Sequence, residues 1–282
     1  MKIGAHVSAA GGVDKSVERA HDLGCECFQI FSRSPQGGSA PELTKEVVAN
    51  FKAELKKYKI NNFYIHTPYF INFASSKRRV AMGSIQVVRE ELERGSLLGA
   101  KYVMTHLGSA KDFGLEKSIQ LTIIGFKELL KNYTGSCELL IEMSAGSGAI
   151  IGSSFEEVAK LFEGVKHKKL SGVCFDTAHM YATGYDFRTT KALNKTLAEF
   201  DSLIGIDRLK LIHANDSKVE LGSRIDRHAN IGQGKLGLKA FEILIADKRL
   251  KNIDLILETP GDEERLKDVK LLKKIRKNKL GH

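Results

Sequence analysis

Short apolar runs alternate with longer amphipathic segments along the whole chain. The runs are mostly continuous, are rich in Ile, Val, Leu and Phe, and cover residues 2–7, 27–32, 62–66, 102–106, 139–142, 173–176, 209–213 and 254–258. Continuous apolar runs of this length are typical of parallel strands that are buried on both faces. The pattern therefore predicts eight buried strands.

The segments between these runs repeat their apolar residues at intervals of three and four, which places an apolar stripe on one face of a helix. One such set is Val47, Phe51, Leu55 and Tyr58. Eight strand candidates that alternate with eight helix candidates favour a TIM-type (β/α)₈ barrel, built as a single domain over residues 1–282. An open doubly wound sheet is the structural alternative on the same pattern.

Composition supports a protein outside the membrane. Hydrophobic residues make up 42% of the 282 residues, which is enough to fill a large core. No apolar run approaches the roughly 18–20 residues that a membrane helix needs, and the first residues lack a signal-peptide pattern. The four cysteines form no C-x-x-C pair, so we expect reduced, structural thiols and a cytoplasmic location.

The chain carries a formal net charge of +10, from 44 Lys and Arg against 34 Asp and Glu. A surplus of this size favours a polyanionic partner such as nucleic acid. Many basic proteins bind no nucleic acid, so the charge alone does not identify the partner.

Six consecutive predicted strands finish on a residue that can bind a metal. In chain order these residues are His66, His106, Glu142, Asp176, His213 and Glu258. In a closed barrel the carboxyl ends of all strands meet at one mouth, where active sites lie. We therefore expect the six side chains to converge.

A single His or Asp at a strand end is ordinarily a hydrogen-bonded loop residue or a helix N-cap. Three carboxylates and three imidazoles around one concave mouth are electrostatically costly unless cations neutralise them. Mixed imidazole and carboxylate ligands suit zinc, manganese or iron. The pattern predicts a site with several metal ions.

Three further candidates follow these strands. His179 comes three residues after Asp176, and the pair Asp226 and His228 lies in a polar loop after the seventh strand. His6 ends the first strand, where we expect it to line the mouth rather than bind an ion. Clustered metals suit hydrolysis of phosphate esters, because they activate water and neutralise the leaving oxygen. Together with the charge, this predicts a phosphodiesterase that acts on nucleic acid.

Several long motifs resemble the endonuclease IV family of apurinic/apyrimidinic endonucleases, and the similarity runs over essentially the whole chain. In order these motifs are residues 4–12 (GAHVSAAGG), 175–179 (FDTAH), 184–186 (GYD), 213–218 (HANDSK), 223–228 (SRIDRH), 231–234 (IGQG) and 257–260 (LETP).

The resemblance implies a centre of three zinc ions, with Mn²⁺ as an alternative at some sites. One ion would be held by His66 and His106, a second by Asp176, His213 and Glu258, with Glu142 bridging them, and a third by His179, Asp226 and His228. It also implies a monomer in base excision repair that hydrolyses the phosphodiester 5′ to abasic sites in duplex DNA. The products would be 3′-hydroxyl and 5′-deoxyribose phosphate ends, with Glu142 as the catalytic residue beside the attacking hydroxide.

The same resemblance indicates DNA contacts from loops at the barrel mouth. Tyr69 matches a tyrosine of the family, and either it or Phe70 could fill the gap left in the base stack, although core packing is an equal alternative for Phe70. The remaining candidates are Arg33 and Gln36 after the second strand, and Arg224, Arg227 and Lys235 around the third ligand set, with solvated surface charge as the alternative for these last three. Residues 35–38 (PQGG) depart from the best-known bacterial pattern.

A metal-dependent sugar isomerase or epimerase on a similar barrel is the main alternative. Such enzymes resemble this chain in a ligand set at the strand ends, here Glu142, Asp176, His213 and Glu258. The additional set around His179 and the basic charge favour the endonuclease. A nucleic-acid-binding barrel without catalysis is a weaker alternative, because it needs no complete ligand set.

Overall fold

Eight parallel strands close into a barrel in the computed structural model, which describes residues 1–281. Each strand pairs with its neighbour in the chain, and the last pairs with the first. The barrel strands are β1 (Ile3–His6), β2 (Cys27–Ile30), β3 (Asn62–His66), β4 (Tyr102–Thr105), β5 (Glu138–Glu142), β6 (Leu170–Asp176), β7 (Leu209–His213) and β10 (Asp254–Leu257). The closed order confirms the predicted TIM-type barrel and excludes the open sheet.

A small antiparallel ribbon lies outside the barrel. It pairs β8 (Asp216–Ser217) with β9 (His228–Ala229), and both strands are two residues long. The ribbon begins shortly after β7 and brings the loop that contains Asp226 back over the barrel mouth.

The helices surround the barrel. They are α1 (Val13–Asp22), α2 (Lys45–Tyr58), α3 (Arg78–Leu98), α4 (Leu115–Leu130), α5 (Phe155–Val165), α6 (Thr177–Thr183), α7 (Thr190–Leu203), α8 (Gly237–Ala246) and α9 (Asp262–Leu280). The prediction of one helix per strand was wrong at β6, which is followed by both α6 and α7. The short α6 begins directly at the strand end, because the Asp176 side chain accepts a hydrogen bond from the backbone N–H of His179 and caps the helix.

Several strands end before the predicted positions, and at two of them the difference concerns a ligand candidate. His106 and Glu258 follow the last residues of β4 and β10 rather than ending them. At the other end of the barrel, β6 begins at Leu170, three residues before the predicted start. Ser171 and Gly172 interrupt the apolar pattern there, but a Cβ on Gly172 would meet the backbone oxygen of Arg208 at 2.2 Å, so glycine is required where β6 approaches β7.

Apolar side chains fill the barrel beneath its mouth. This inner cluster consists of Cys27, Tyr64, Tyr102, Met104, Leu140, Cys174, Leu211 and Ile256. A larger cluster fills the space between strands and helices. All four cysteines are buried and unpaired, and burial raises the pKa of the Cys174 thiol to about 12. Within residues 1–281, no helix is both long enough and apolar enough to cross a membrane.

Candidate metal centre

The strand ends bring His66, His106 and Glu142 together at the mouth. Each offers one ligand atom, and the three atoms lie within 4.8 Å of one another. Glu142 Oε2 is 2.7 Å from His66 Nε2 and 3.5 Å from His106 Nε2. This is the first ligand group that the resemblance implied.

Glu142 also belongs to a second group, with Asp176, His213 and Glu258. Nδ1 of His213 lies 3.0 Å from Glu142 Oε1, 3.4 Å from Glu258 Oε2 and 3.9 Å from Asp176 Oδ2. One nitrogen therefore faces three carboxylates. Because its two oxygens face different groups, Glu142 lies in a bridging position between them.

A third group is formed by α6 and the β8–β9 ribbon. His179 Nε2 is 3.2 Å from Asp226 Oδ2, and His228 Nε2 is 3.3 Å from Asp226 Oδ1. Asp176 also lies within 4.8 Å of the ligand atoms of both histidines. Asp176 therefore stands between the second and third groups, whereas the sequence placed it in the second alone.

The carboxyl and imidazole groups of the centre shift one another's pKa values. Burial alone would raise the pKa of the Glu142 carboxyl, but the imidazoles of His106, His213 and His66 hold that pKa well below its usual value. Burial lowers the pKa of His179, yet the carboxylates of Asp176 and Asp226 outweigh it and raise the value to about 10. The carboxylates of the centre likewise raise the pKa values of His66 and His213, whereas burial lowers the pKa of His106. A divalent cation could replace the protons of the imidazoles whose pKa values are raised.

The hydrogen bonds of His66 and His179 suit metal ligands. Nδ1 of His66 donates to the backbone oxygen of Thr67 at 2.6 Å, and Nδ1 of His179 donates to that of Met143 at 3.0 Å. In each ring, this bond leaves Nε2 directed at the carboxylates. Histidines that bind metals ordinarily donate from their second nitrogen in this way, and imidazole with carboxylate suits zinc or manganese. The residues present therefore fit a metal centre.

Two buried amides that the sequence analysis did not select contact the ligands. Asn215 Nδ2 donates to Asp176 Oδ2 at 2.7 Å, and its Oδ1 accepts from the backbone N–H of Glu258 at 2.8 Å. Gln29 contacts both Glu258 and His213. Gln29 could have been found in the sequence as a polar residue inside an apolar strand. Asn215 could have been found from its position two residues after His213. His6 lies 3.4 Å from Glu258 Oε1 at the mouth but in none of the three groups.

A cavity of about 1220 Å³ opens over the ligand groups. The loops after β1 and β2 form one wall, and Tyr69 stands at the rim with 66% of its surface exposed. The ring centroid of Tyr69 is 5.1 Å from that of Phe31 and 6.3 Å from that of His66. Phe70 is 40% exposed, so it lies outside the core.

The loop of residues 31–44 contains two of the predicted DNA contacts, one exposed and one buried. Gln36 is exposed at its tip. Arg33 is buried: Nη1 donates to Glu90 of α3 at 2.7 Å, and Nη2 donates to the backbone oxygen of Gly38 at 3.0 Å. The guanidinium therefore ties the loop to α3, an arrangement that the sequence did not indicate.

The basic residues near the third group are all exposed. These are Arg224, Arg227 and Lys235. Lys235 Nζ forms an ion pair of 2.6 Å with Glu220, which is itself exposed. Exposed pairs of this kind are weak, so the ammonium group can exchange its partner for a phosphate.

Comparisons with known proteins agree with this geometry. Residues 17–276 match the family described as "Xylose isomerase-like TIM barrel". The "Probable endonuclease 4" of Nitrosopumilus maritimus is 40% identical over 267 residues, which cover 94% of this chain and 95% of the relative. The crystal structure of endonuclease IV from Thermus thermophilus superposes with a TM-score of 0.87 at 33% identity, covering 99% of this chain and all of that one.

Barrels of the alternative function are more distant. A D-tagatose 3-epimerase-like protein superposes with a TM-score of 0.74 over 98% of this chain and 97% of its own, but at 18% identity. At that identity the likeness shows the fold alone. The chain therefore belongs to the endonuclease IV family, and it shares its barrel with the wider xylose isomerase-like group.

Proposed function

We propose that this protein is a DNA-repair endonuclease that hydrolyses the phosphodiester 5′ to abasic sites in duplex DNA. The observation that carries the proposal is the position of Glu142, whose two carboxylate oxygens face two different ligand groups beneath an open cavity. A third group with Asp226 lies beside them. We further propose that the whole chain works as one domain and as a cytoplasmic monomer, with its buried thiols reduced.

The ligand groups would hold three zinc ions, with Mn²⁺ as an alternative at some sites. His66 and His106 would hold one ion, Asp176, His213 and Glu258 the second, and His179, Asp226 and His228 the third, with Glu142 between the first two. Bound ions of this kind activate water at neutral pH and neutralise the charge of the leaving oxygen.

The residues of the chain orient the reaction. The Glu142 carboxylate, ionised at neutral pH, accepts a hydrogen bond from the attacking water and directs it at the phosphorus. Turning a nucleotide out of the stack is easiest where no base is paired, and the ring of Tyr69 at the rim, or that of the neighbouring Phe70, fills the space of the missing base. The exposed side chains of Arg224, Arg227 and Lys235 bind backbone phosphates. Arg33 holds the loop that presents Gln36.

A sugar isomerase or epimerase would need only the second ligand group. It gives no role to the pair of His179 and His228 with Asp226, nor to an exposed aromatic rim. Both features suit an extended anionic substrate better than a small sugar, so the endonuclease is the function that the geometry supports best.

An incision assay tests the proposal. The substrates are a labelled duplex with one abasic analogue and the same duplex with an intact base. We expect cleavage on the 5′ side of the analogue only, loss of cleavage after exhaustive chelation, and recovery when zinc is added back. Metal analysis of the purified protein measures the ion content. Equal cleavage of both duplexes, or full activity in the chelated protein, would contradict the proposal, as would epimerisation of a ketohexose without incision.

A further inference from the structure

Gln29 is a completely buried amide in β2, a strand that provides none of the proposed ligands. Its side chain reaches the mouth and contacts three other side chains there. Gln29 Nε2 donates to Glu258 Oε1 at 2.6 Å, and the same nitrogen is 2.9 Å from Nδ1 of His6. Gln29 Oε1 accepts from His213 Nε2 at 2.8 Å. A single side chain thus joins two members of the second ligand group.

The chemistry of these contacts determines how the amide is oriented. A carboxylate only accepts hydrogen bonds, so the NH₂ group of Gln29 has to face Glu258. The carbonyl oxygen then faces His213, and because that oxygen only accepts, Nε2 of His213 carries a proton. When this ring is neutral, as a metal ligand has to be, its lone pair is consequently on Nδ1.

This assignment places the free nitrogen where an ion is needed. Nδ1 of His213 is the atom that faces Glu142 and Glu258 at 3.0 and 3.4 Å. The bond from Gln29 also occupies Oε1 of Glu258, which leaves Oε2 on the side of His213 Nδ1. Both ligands are therefore turned towards the same point by one amide.

We propose that Gln29 is a positioning residue for the second metal group, an inference that rests on the proposed metal-dependent function. His66 and His179 donate their second nitrogen to backbone carbonyls, which no substitution removes. His213 donates to a side chain instead. Without Gln29, the buried Nε2 of His213 loses its hydrogen-bond partner, and an unpaired buried polar group is costly. Oε1 of Glu258 then keeps only the contact with His6 Nδ1 at 3.4 Å. The ring and the carboxylate can then turn away from the ion.

Two variants test this role. Gln29→Met has similar length but forms no hydrogen bond of this kind, and Gln29→Glu keeps an acceptor for His213 while it places a carboxylate against Glu258. The control is Asn62→Leu, because Asn62 Nδ2 donates to Asp254 Oδ2 at 2.7 Å at the opposite end of the barrel. The control therefore loses a comparable amide–carboxylate bond far from the centre.

The readouts are zinc affinity, measured by competition with a chelator, and the visible spectrum of the cobalt-substituted protein. Loss of a group that orients a ligand typically weakens metal affinity about 10–100-fold. We expect this weakening for one ion in both Gln29 variants, with an altered cobalt spectrum, and parental values for Asn62→Leu. Thermal unfolding identifies which variants are folded, and if Gln29→Met is not, Gln29→Glu provides the test.

Parental zinc affinity and an unchanged cobalt spectrum in a folded Gln29 variant would overturn the inference and leave the proposed endonuclease intact. An equal loss of zinc in Asn62→Leu would also overturn it, because the effect would then reflect barrel stability in general. A parent protein that binds no divalent ion would instead overturn both the proposed function and this role.

Discussion

His66 Nε2 and Glu142 Oε2 lie 2.7 Å apart although the residues are 76 positions apart in the chain. The two side chains come from β3 and β5, with β4 between them, so both reach over the barrel interior. The other oxygen of Glu142 lies 3.0 Å from Nδ1 of His213 of β7. One carboxylate thus connects ligands from three strands, and its loss affects two ligand groups at once.

Replacing Glu142 by Gln is expected to reduce turnover on an abasic duplex by roughly 10²–10⁴-fold, the size of effect that a positioned proton acceptor gives. Binding of the duplex should change little, because Glu142 lies beneath the cavity rather than at its rim. Single-turnover incision and a binding titration measure the two quantities. Glu138→Gln is the matched control, since Glu138 lies in the same strand at the opposite end of the barrel. Unchanged turnover in Glu142→Gln would refute its role.

The buried Asp216 carboxylate organises the loop that follows β9. It accepts hydrogen bonds from the backbone N–H groups of Gly232, Gly234 and Leu236, each at 3.0 Å. A Cβ on Gly234 would lie 2.4 Å from Asp216 Oδ1 and 2.4 Å from the backbone oxygen of Ser217. The loop therefore requires glycine at this position.

Gly234→Ala is expected to destabilise the protein by about 1–3 kcal/mol, the usual cost of forcing a methyl group into a filled site. Gly83→Ala is the control, because nothing lies within 4 Å of its Cβ position in α3. Alanine is favoured over glycine inside a helix, so this control should gain about 0.5–1 kcal/mol. Urea denaturation measures both changes. Equal stability of the two variants would show that the loop adapts to a side chain.

The barrel and the convergence of the ligand candidates could be predicted because their signals are local. A buried parallel strand reads as a continuous apolar run, and a ligand at its end is the first polar residue after that run, as His66 and Asp176 show. Closure of the barrel then brings the ligands together without any further information in the sequence. Motifs such as residues 175–179 added the function that the pattern alone could not identify.

The remaining features depend on contacts between distant segments. An arginine is ordinarily expected at the surface. The partner of Arg33, Glu90, lies 57 residues away on α3, so only the fold shows that the Arg33 side chain is buried. From the sequence, Asp176 belongs to one ligand group only. Its contact with a second group is made by His228, which the β8–β9 ribbon brings to within 3.5 Å of it, and that ribbon is visible only in the fold. Gln29 is one polar residue in an apolar strand, and its role depends on Glu258, 229 positions away.

Glu26 and Arg276 join the start of the barrel to the last helix. The Arg276 guanidinium donates to both carboxylate oxygens of Glu26, at 2.6 and 2.8 Å, and the backbone N–H of Ile3 donates to Oε2 at 3.0 Å. Burial raises the pKa of the Glu26 carboxyl, but these hydrogen bonds outweigh burial and hold it below its usual value. A carboxyl whose pKa is lowered in the folded state stabilises that state above its unfolded pKa and loses this effect as the pH falls through the folded pKa.

Glu26→Gln should therefore lower the free energy of unfolding at pH 7, and the difference from the parent should shrink below about pH 4. Because the pair is partly exposed, solvent screening limits the effect at pH 7 to about 1 kcal/mol. Urea denaturation of parent and variant at several pH values gives this difference directly. A difference that grows towards acid pH would contradict the assigned direction of the pKa shift.

Tyr69 is the exposed ring nearest the proposed reaction centre, and its substitution separates DNA recognition from metal binding. Tyr69→Ala is expected to weaken binding of an abasic duplex by roughly 5–150-fold, because stacking of an aromatic ring on a base contributes about 1–3 kcal/mol. Zinc content should not change, since Tyr69 is not one of the proposed ligands.

Ile124→Ala is the matched control, as Ile124 of α4 is similarly exposed, at 61%, but lies outside the cavity. Fluorescence anisotropy with abasic and intact duplexes measures the effect. If Tyr69→Ala binds both duplexes as the parent does, the ring at the rim has no part in recognising the gap, and Phe70 becomes the residue to test.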